Sequence, residues 1–414
     1  MSIESIKEQI QFTYRQLIKS QSLIPRYGQR QMIAQITNAL SKVQDPEVDT
    51  PICVIEAGTG TGKTLAYILA SLPLAKSYGY KVVISTATIA LQEQVVFKDI
   101  PEILSGSDIS FSYTIAKGRK RYLCLSKLHM LLSGQDSLMA LADLHGESTT
   151  GLPTTKTELY ESMLTKLESG VWYGDRDEWE KPVPDTVWAP LTADRFQCTG
   201  QKCSHFRDCC FYKARDALDD VDCIVSNHDL VLTDLAMGGG SILPEPGKCF
   251  YIFDEAHHLP IKSNSHFAKI SNIKGTQNWI EGLDKELSLL KRHEFITEKA
   301  YATITGTLDQ LALHFKSTMP VLAQIFDTEG RNDSYENKIQ HTFLGGAVSQ
   351  EINELAEIFV ANFKRLITQL TNIDENLKLL LDERPLLERK QLMENLCSIL
   401  GETIERADSN RSLW

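Results

Sequence analysis

Residues 57–64 read Ala-Gly-Thr-Gly-Thr-Gly-Lys-Thr and follow the apolar run Ile52-Cys53-Val54-Ile55. An apolar run entering a glycine-rich loop that ends in Gly-Lys-Thr predicts a strand, a phosphate-binding loop and a helix. Ala57, Gly58, Thr59, Gly60, Thr61 and Gly62 let the backbone curl so that successive N–H groups point at phosphate oxygens. A helix starting near Lys63 adds its partly positive N-terminus. Lys63 would reach the β- and γ-phosphates of ATP, and the Thr64 hydroxyl would bind Mg²⁺. Ala57 stands where the common pattern has its first glycine. An ordinary glycine-rich turn does not account for Gly-Lys-Thr in register behind a strand.

The other half of such a site lies about 190 residues downstream, where Cys249-Phe250-Tyr251-Ile252-Phe253 runs into Asp254-Glu255-Ala256-His257. A continuous apolar run fits a parallel strand buried on both faces, and ligands gather at the carboxyl ends of such strands. Asp254 would hold the Mg²⁺ shell, Glu255 would orient and deprotonate the attacking water, and His257 would couple the nucleotide to the rest of the molecule. Two acids after a strand are by themselves most simply a solvated turn. Together with the phosphate loop they make a phosphoryl-transfer site, because that chemistry needs positioning and charge neutralisation more than covalent steps.

A chain of 414 residues with 42% hydrophobic content implies two or three domains with proper cores. No run approaches a membrane span, and Met1-Ser2-Ile3-Glu4-Ser5-Ile6-Lys7 reads as the start of a polar amphipathic helix rather than a signal peptide. The expectation is a cytoplasmic, monomeric protein with no membrane partner. The net charge of −11 excludes a uniformly basic nucleic-acid-binding surface. One local cluster stands against it, Lys117-Gly118-Arg119-Lys120-Arg121-Tyr122. It is either a solvated basic turn or a contact for a strand's backbone with an aromatic for a base.

Nine cysteines, an odd number in a reducing compartment, argue against disulfides. Cys198, Cys203 and Cys209 form C-x4-C-x5-C, Cys210 adjoins the last, and Cys124 lies 74 residues before Cys198. Structural zinc sites favour tight pairs, whereas three local ligands and one remote suit a cubane iron–sulfur cluster. Zinc or plain buried thiols remain alternatives on spacing alone, and Cys210 could substitute for Cys209. The polar segment around the trio builds little core, so a metal would supply folding energy. Cys53, Cys223, Cys249 and Cys397 sit in apolar patterns and are expected in cores.

Lys81-Val82-Val83-Ile84-Ser85-Thr86 and Cys223-Ile224-Val225-Ser226-Asn227-His228 read as further buried strands, with a helix over 90–96. Strands alternating with helices predict an α/β parallel sheet covered on both faces. Between them lies an insertion, expected to be loop-rich, that carries Trp172, Trp179 and Trp188. Farther on, Ile352, Leu355, Phe359, Phe363, Leu366 and Leu370 recur at helical spacing to Leu380, predicting a helix of about eight turns. Pro385 ends it. A second helical stretch over 387–400, with shorter ones at 279–292 and 304–326, completes a bundle with no catalytic constellation of its own.

The phosphate loop, the remote Asp-Glu-Ala-His, four cysteines between them and a helical region after them resemble the iron–sulfur superfamily 2 DNA helicases of the XPD type. The likeness covers nearly the whole chain, including Ser85-Thr86-Ala87, Ala90-Leu91-Gln92, Gly118 to Cys124 and Val225-Ser226-Asn227-His228. It implies a RecA-like motor domain in two parts, 1–111 and 217–262, an iron–sulfur insertion at 112–216 and a helical arch at 263–414. It implies that Gln29 reads adenine, and that Cys124, Cys198, Cys203 and Cys209 hold a [4Fe–4S] cluster. Thr86, Lys117, Arg119, Lys120 and Arg121 would lie along the DNA. The activity implied is ATP-dependent 5′→3′ movement on single-stranded DNA, with unwinding of forked, D-loop or R-loop (DNA–RNA) structures in DNA repair. No Ser-Ala-Thr and no Gln-x-x-Gly-Arg-x-x-Arg motif occurs. The chain therefore reads as the N-terminal portion of a helicase, with the second RecA-like domain absent. The alternative reading is a non-motor module that binds ATP and single-stranded DNA without coupling them.

Overall fold

The computed structural model describes residues 2–413 apart from 46, 49–50, 59, 134–153, 269–272, 330, 334–337, 341–344, 346, 384 and 386. In chain order its helices are α1 (Ile3–Ser20), α2 (Tyr27–Leu40), α3 (Lys63–Tyr78), α4 (Ile89–Gln94), α5 (Ile100–Gly106), α6 (Leu125–Leu132), α7 (Thr154–Glu168), α8 (Cys210–Asp216), α9 (His228–Ala236) and α10 (Leu259–Phe267). The C-terminal third adds α11 (Ile273–Arg292), α12 (Glu298–Glu329), α13 (Gln350–Asp382) and α14 (Leu387–Arg411). The chain divides into two compact units, Met1–Gly118 with Phe211–Ala268, and Arg119–Cys210 with Lys269–Trp414.

The first unit is built on a parallel sheet of β1 (Lys81–Thr86), β2 (Tyr113–Ile115), β3 (Cys223–Asn227) and β4 (Cys249–Phe253), in the order β2-β3-β1-β4. Val82 pairs with both Cys223 and Phe250, so β3 and β4 flank β1. Alternation divides the strands between two cores. Val82, Ile84, Val225 and Phe250 pack with Ile6, Leu17, Ile68 and Leu69 of α1 and α3. Val83, Ile224 and Cys249 pack with Leu230, Val231 and Leu243 on the other side. A sheet covered on both faces explains why β1, β3 and β4 carry consecutive apolar residues, Val82–Ile84, Cys223–Val225 and Cys249–Phe253. It is the parallel α/β core expected from the sequence.

The run Ile52–Ile55 is not a strand, contrary to expectation. Val54 is 91% exposed, and Ile52 and Cys53 are also exposed, while Ile55 packs against the first core. A strand persists only where a neighbour completes its ladder, and among the described residues the sheet ends at β4 on that side. Cys53 is correspondingly not a core thiol, whereas Cys223, Cys249 and Cys397 are buried.

In the second unit, the insertion closes around aromatic rings. Trp172 meets Trp179 at 4.7 Å and Trp188 at 6.4 Å between ring centres. The polar edges are satisfied: Trp172 Nε1 donates to the Asp175 carbonyl at 2.7 Å, Trp188 Nε1 to the Lys120 carbonyl at 2.8 Å, and Tyr160 Oη to the Val187 carbonyl at 2.9 Å. The bundle α11–α14 shares a core that includes Trp279, Phe315, Phe359, Phe363, Leu396 and Cys397. The Ser349 hydroxyl caps α13 by accepting from the Ile352 N–H. Pro385 lies between α13 and α14, as its missing N–H requires.

The cysteine-bearing loop is fastened to this bundle. Ser204 donates through its N–H and its hydroxyl to Glu394 Oε1, at 2.9 and 2.6 Å. Lys202 donates to Asp382 at 2.7 Å and to the Lys378 carbonyl at 2.8 Å, and Gln197 Nε2 donates to Glu402 at 3.0 Å.

Candidate nucleotide site

α3 starts at Lys63 behind Gly62, whose φ of 82° is left-handed. That backbone state suits glycine, and a second constraint reinforces it. A Cβ on Gly62 would lie 3.2 Å from Gln29 Cδ and run into its amide nitrogen. Gln29 is buried. Its Nε2 donates to the Gly62 carbonyl at 3.1 Å, and its Oε1 accepts from Tyr14 Oη at 3.0 Å. The residue expected to read adenine is thus fastened to the phosphate loop and, through Tyr14, to α1. Thr61 Oγ1 donates to the Gly58 carbonyl at 2.7 Å, closing the loop on itself. Ala57 and Thr64 are half-buried, Gly58 and Gly60 are exposed, and Thr59 lies outside the described residues.

The acidic pair arrives from the end of β4. The Asp254 N–H donates to the Ser85 carbonyl at 2.8 Å, which carries the ladder one residue past the strand. Lys63 Nζ donates to Glu255 Oε1 at 2.6 Å and lies 3.4 Å from the Ala57 carbonyl. This pair joins residues 192 positions apart. Glu255 adopts φ 53°, a left-handed state for a side-chain-bearing residue. Such states cost about 1–3 kcal/mol and persist where the surroundings impose them. Here the turn aims the Glu255 carboxylate back at Lys63. The hydrogen bond from Lys63 holds Glu255 below the usual carboxylate range, with burial opposing it. Burial pushes Asp254 the other way, with Lys63 opposing. Asp254 Oδ2 accepts from Tyr67 Oη at 3.4 Å and Oδ1 from the Glu255 N–H at 3.0 Å. His257 is exposed, with Nδ1 3.4 Å from Glu255 Oε2.

Thr64 and Asp254 offer hard oxygen donors of the kind Mg²⁺ takes. A half-buried carboxylate whose charged form burial disfavours is a group that a cation would relieve. On both counts the residues fit the metal.

Three further groups contribute, of which Tyr67 and Tyr14 carry no obvious sequence signal. Tyr67 lies one helical turn beyond Lys63, and Tyr14 lies 15 residues before Gln29. His228 is fully buried with Nδ1 2.7 Å from Ser85 Oγ, and burial lowers its pKa. Only the folded sheet brings these groups to the nucleotide site.

The residues expected along DNA are placed differently from one another. Thr86 is buried, and its hydroxyl donates to the Thr88 carbonyl at 3.0 Å and the Ser226 carbonyl at 3.3 Å. Lys117 is 6% exposed and Tyr122 7%, so that ring is not offered to a base. Arg121 is ion-paired with Asp177. Arg119 is half-buried and Lys120 exposed.

Cys124, Cys198, Cys203 and Cys209 are all half-buried. Burial raises Cys124, with Cys198 and Cys209 adding to the effect. Burial also pushes Cys203 up to about 12, with Cys124 and Cys198 adding. The four thiols are therefore neighbours, and their chemistry suits iron. Among the described residues, however, no group of three or more His, Cys, Asp or Glu side chains is gathered so as to hold a metal ion. Cys210 is buried, with its Sγ against the backbone of Gly174.

Just ahead of Cys198, the carboxyl of Asp194 meets Glu405 of α14. Burial, and then Asp194 itself, push Glu405 up to about 7. Burial opposes ionisation of Asp194, but hydrogen bonds from Glu405 and from the Gln197 and Phe196 N–H groups leave it below the usual range. A raised acid stabilises the fold fully below its ordinary pKa and loses that contribution as pH rises through the folded value. The Glu405 contribution is thus lost between about pH 4.5 and 7. Asp194 acts in the opposite sense, with its loss confined to acid below its ordinary range. Glu405→Gln is expected to keep the hydrogen bond and flatten this loss, so that the variant is the more stable at pH 8. Denaturant midpoints at pH 6 and pH 8 check it; an equal decline in both proteins would refute the assignment.

A parallel sheet with a phosphate loop, a facing Asp-Glu pair and a glutamine seated on the loop defines a P-loop nucleotide-binding domain of the DEAD/DEAH-box class. The DEAD/DEAH box helicase family matches residues 26–153. The ATP-dependent DNA helicase DinG of Photobacterium profundum is 31% identical over 411 residues, covering 99% of this chain and 57% of the relative. That of Escherichia coli (strain K12) is 32% identical over 257 residues, 62% of this chain and 35% of the relative. The chain is thus similar to DinG helicases along nearly its whole length, and it spans little more than half the length of the Photobacterium relative. Among the described residues no helix is long and apolar enough to cross a membrane.

Proposed function

We propose that this chain carries the ATP-binding part of a DinG-type, ATP-dependent DNA helicase that moves 5′→3′ on single-stranded DNA and opens forked, D-loop or R-loop structures. The observation that carries the reading is the convergence of Lys63, Asp254 and Glu255 at the carboxyl edge of the sheet, with Gln29 seated on Gly62. Lys63 exchanges Glu255 for phosphate oxygens, and the freed Glu255 carboxylate then accepts the proton of the attacking water. Thr64 and Asp254 would hold Mg²⁺, which supplies charge neutralisation for phosphoryl transfer. Gln29 presents a donor and an acceptor, the pattern that separates adenine from guanine. Lys120 is the exposed member of the basic run and the first choice among its residues for a DNA contact.

A [4Fe–4S] cluster on Cys124, Cys198, Cys203 and Cys209 belongs to the same reading. It is supported by the electrostatic coupling of Cys124, at the start of α6, to Cys198, Cys203 and Cys209 on a loop bonded to α13 and α14. About four irons per chain in anaerobically purified protein is the expected result; stoichiometric zinc without iron would rule it out.

ATP hydrolysis with and without single-stranded DNA tests the function. Strong stimulation supports a motor. Tight ATP binding without stimulated turnover supports instead a module that binds both ligands without coupling them.

A further inference from the structure

Tyr67 stands on α3, one helical turn after Lys63 and Thr64. Residues three and four apart are neighbours on a helix surface. The Tyr67 ring is buried in the first core with Ile68, Leu69 and Ile84. Packing locks such a ring in one rotamer, so its hydroxyl is fixed relative to the sheet. That hydroxyl donates to Asp254 Oδ2 at 3.4 Å and shares a side-chain hydrogen bond with Thr64. A buried tyrosine needs a partner for its hydroxyl, and a main-chain carbonyl suffices elsewhere, as that of Val187 does for Tyr160. Tyr67 instead meets both side chains whose oxygens fit Mg²⁺. Asp254 is in turn held at both oxygens, since Oδ1 accepts from the Glu255 N–H at 3.0 Å. A carboxylate oxygen has two acceptor positions, so each of these keeps one for a cation or its water shell.

We propose that Tyr67 is a positioning residue of the Mg²⁺ site, holding Thr64 and Asp254 in register with each other. The inference rests on the reading of Thr64 and Asp254 as the metal's donors and adds the group that aligns them. Mg²⁺ demands near-ideal octahedral geometry, so its oxygens must be placed before it binds. Thr64 rides on the first turn of α3, whereas Asp254 follows the end of β4. Tyr67 reaches from one element to the other across 187 residues. Lys63 does not serve this purpose, because it is bonded to Glu255 and exchanges that partner for phosphate. At 3.4 Å the bond to Asp254 is long. Hydrogen bonds at such sites are often long before the ligand binds and tighten in the complex. Outer-shell partners typically contribute about 10- to 100-fold to metal affinity, and a single long bond points to the lower end.

The test uses the full chain with ADP, and Mn²⁺ in place of Mg²⁺ as a spin probe, the free ion being counted by electron paramagnetic resonance. Tyr67→Phe keeps the ring in the core and removes only the hydroxyl. It should weaken Mn²⁺ binding to the ADP complex by about tenfold. Calorimetric titration with ADP in EDTA should stay within about twofold of wild type, because the phosphate contacts of Lys63 and its loop are untouched. Unchanged Mn²⁺ affinity would overturn the proposal. So would an equal loss of metal-free ADP binding, which would make the hydroxyl a support of the fold alone. Asp254→Asn separates this inference from the reading beneath it. Mn²⁺ binding lost in Asp254→Asn but intact in Tyr67→Phe would overturn the role of Tyr67 only. Mn²⁺ binding intact in both would overturn the assignment of Asp254 as well.

Discussion

Lys63→Ala is expected to weaken Mg-ATP binding by about 30- to 100-fold and to remove turnover. A hydrogen bond to a charged group contributes about 1.5–3 kcal/mol, and each 1.4 kcal/mol is tenfold in affinity. The chemical step loses more, about 10²–10³, because a preorganised donor acts where charge develops. The variant also leaves Glu255 without the partner it holds at 2.6 Å. Its carboxylate would then rise toward its ordinary range, and Asp254 would lose the cation that opposes its burial. Glu255→Gln separates the two roles. It should leave affinity within a few-fold of wild type while blocking hydrolysis, since an amide cannot accept the proton. Calorimetric titration with ATP and single-turnover hydrolysis resolve the pair. Unchanged affinity in Lys63→Ala would remove the phosphate-loop assignment, and normal hydrolysis by Glu255→Gln would remove the base.

The second large effect is a contrast between two helical glycines. At Gly306 on α12 nothing lies within 4 Å of an added Cβ, and the residue is exposed. Gly306→Ala should stabilise the protein by about 0.5–1 kcal/mol, through helix propensity and a less flexible unfolded chain. At Gly401 on α14 the added Cβ would lie 2.6 Å from the Gln197 nitrogen and closer still to the Phe196 carbonyl. These are backbone atoms, which cannot swing aside as a side chain can. Propensity again favours alanine by about 1 kcal/mol. The overpacking term, typically about 1–3 kcal/mol and larger against backbone, exceeds it. Gly401→Ala should therefore be destabilised, and residues 194–197 should lift from α14. Denaturant melts should move in opposite directions for the two variants. Hydrogen exchange should show the Phe196 and Gln197 amides losing protection only in Gly401→Ala. Stabilisation by both substitutions would mean that the cysteine-bearing loop does not rest on α14.

Much of the architecture is legible locally. β1, β3 and β4 carry three or more consecutive apolar residues because both faces of their sheet are covered. α13 follows the three-and-four spacing from Ile352 to Leu380 because one stripe faces a core. Pro385 has no N–H to continue a helix. Gly-Lys-Thr and Asp-Glu-Ala-His announce their chemistry because phosphate and metal ligation tolerate few side chains. The sequence by itself determined these features, since each depends on residues within a few turns of one another. Only the tertiary structure decided the rest. Ile52–Ile55 carries a strand pattern but has no ladder neighbour among the described residues. The basic run looks uniform, yet Lys117 is buried, Arg121 is committed to Asp177, and Lys120 is exposed. Gln29 finds Gly62, Lys63 finds Glu255, and Gln197 finds Glu402 across 33, 192 and 205 residues. No local pattern encodes such pairings, because they depend on where distant elements come to rest once both faces of the sheet and the core of the bundle are filled.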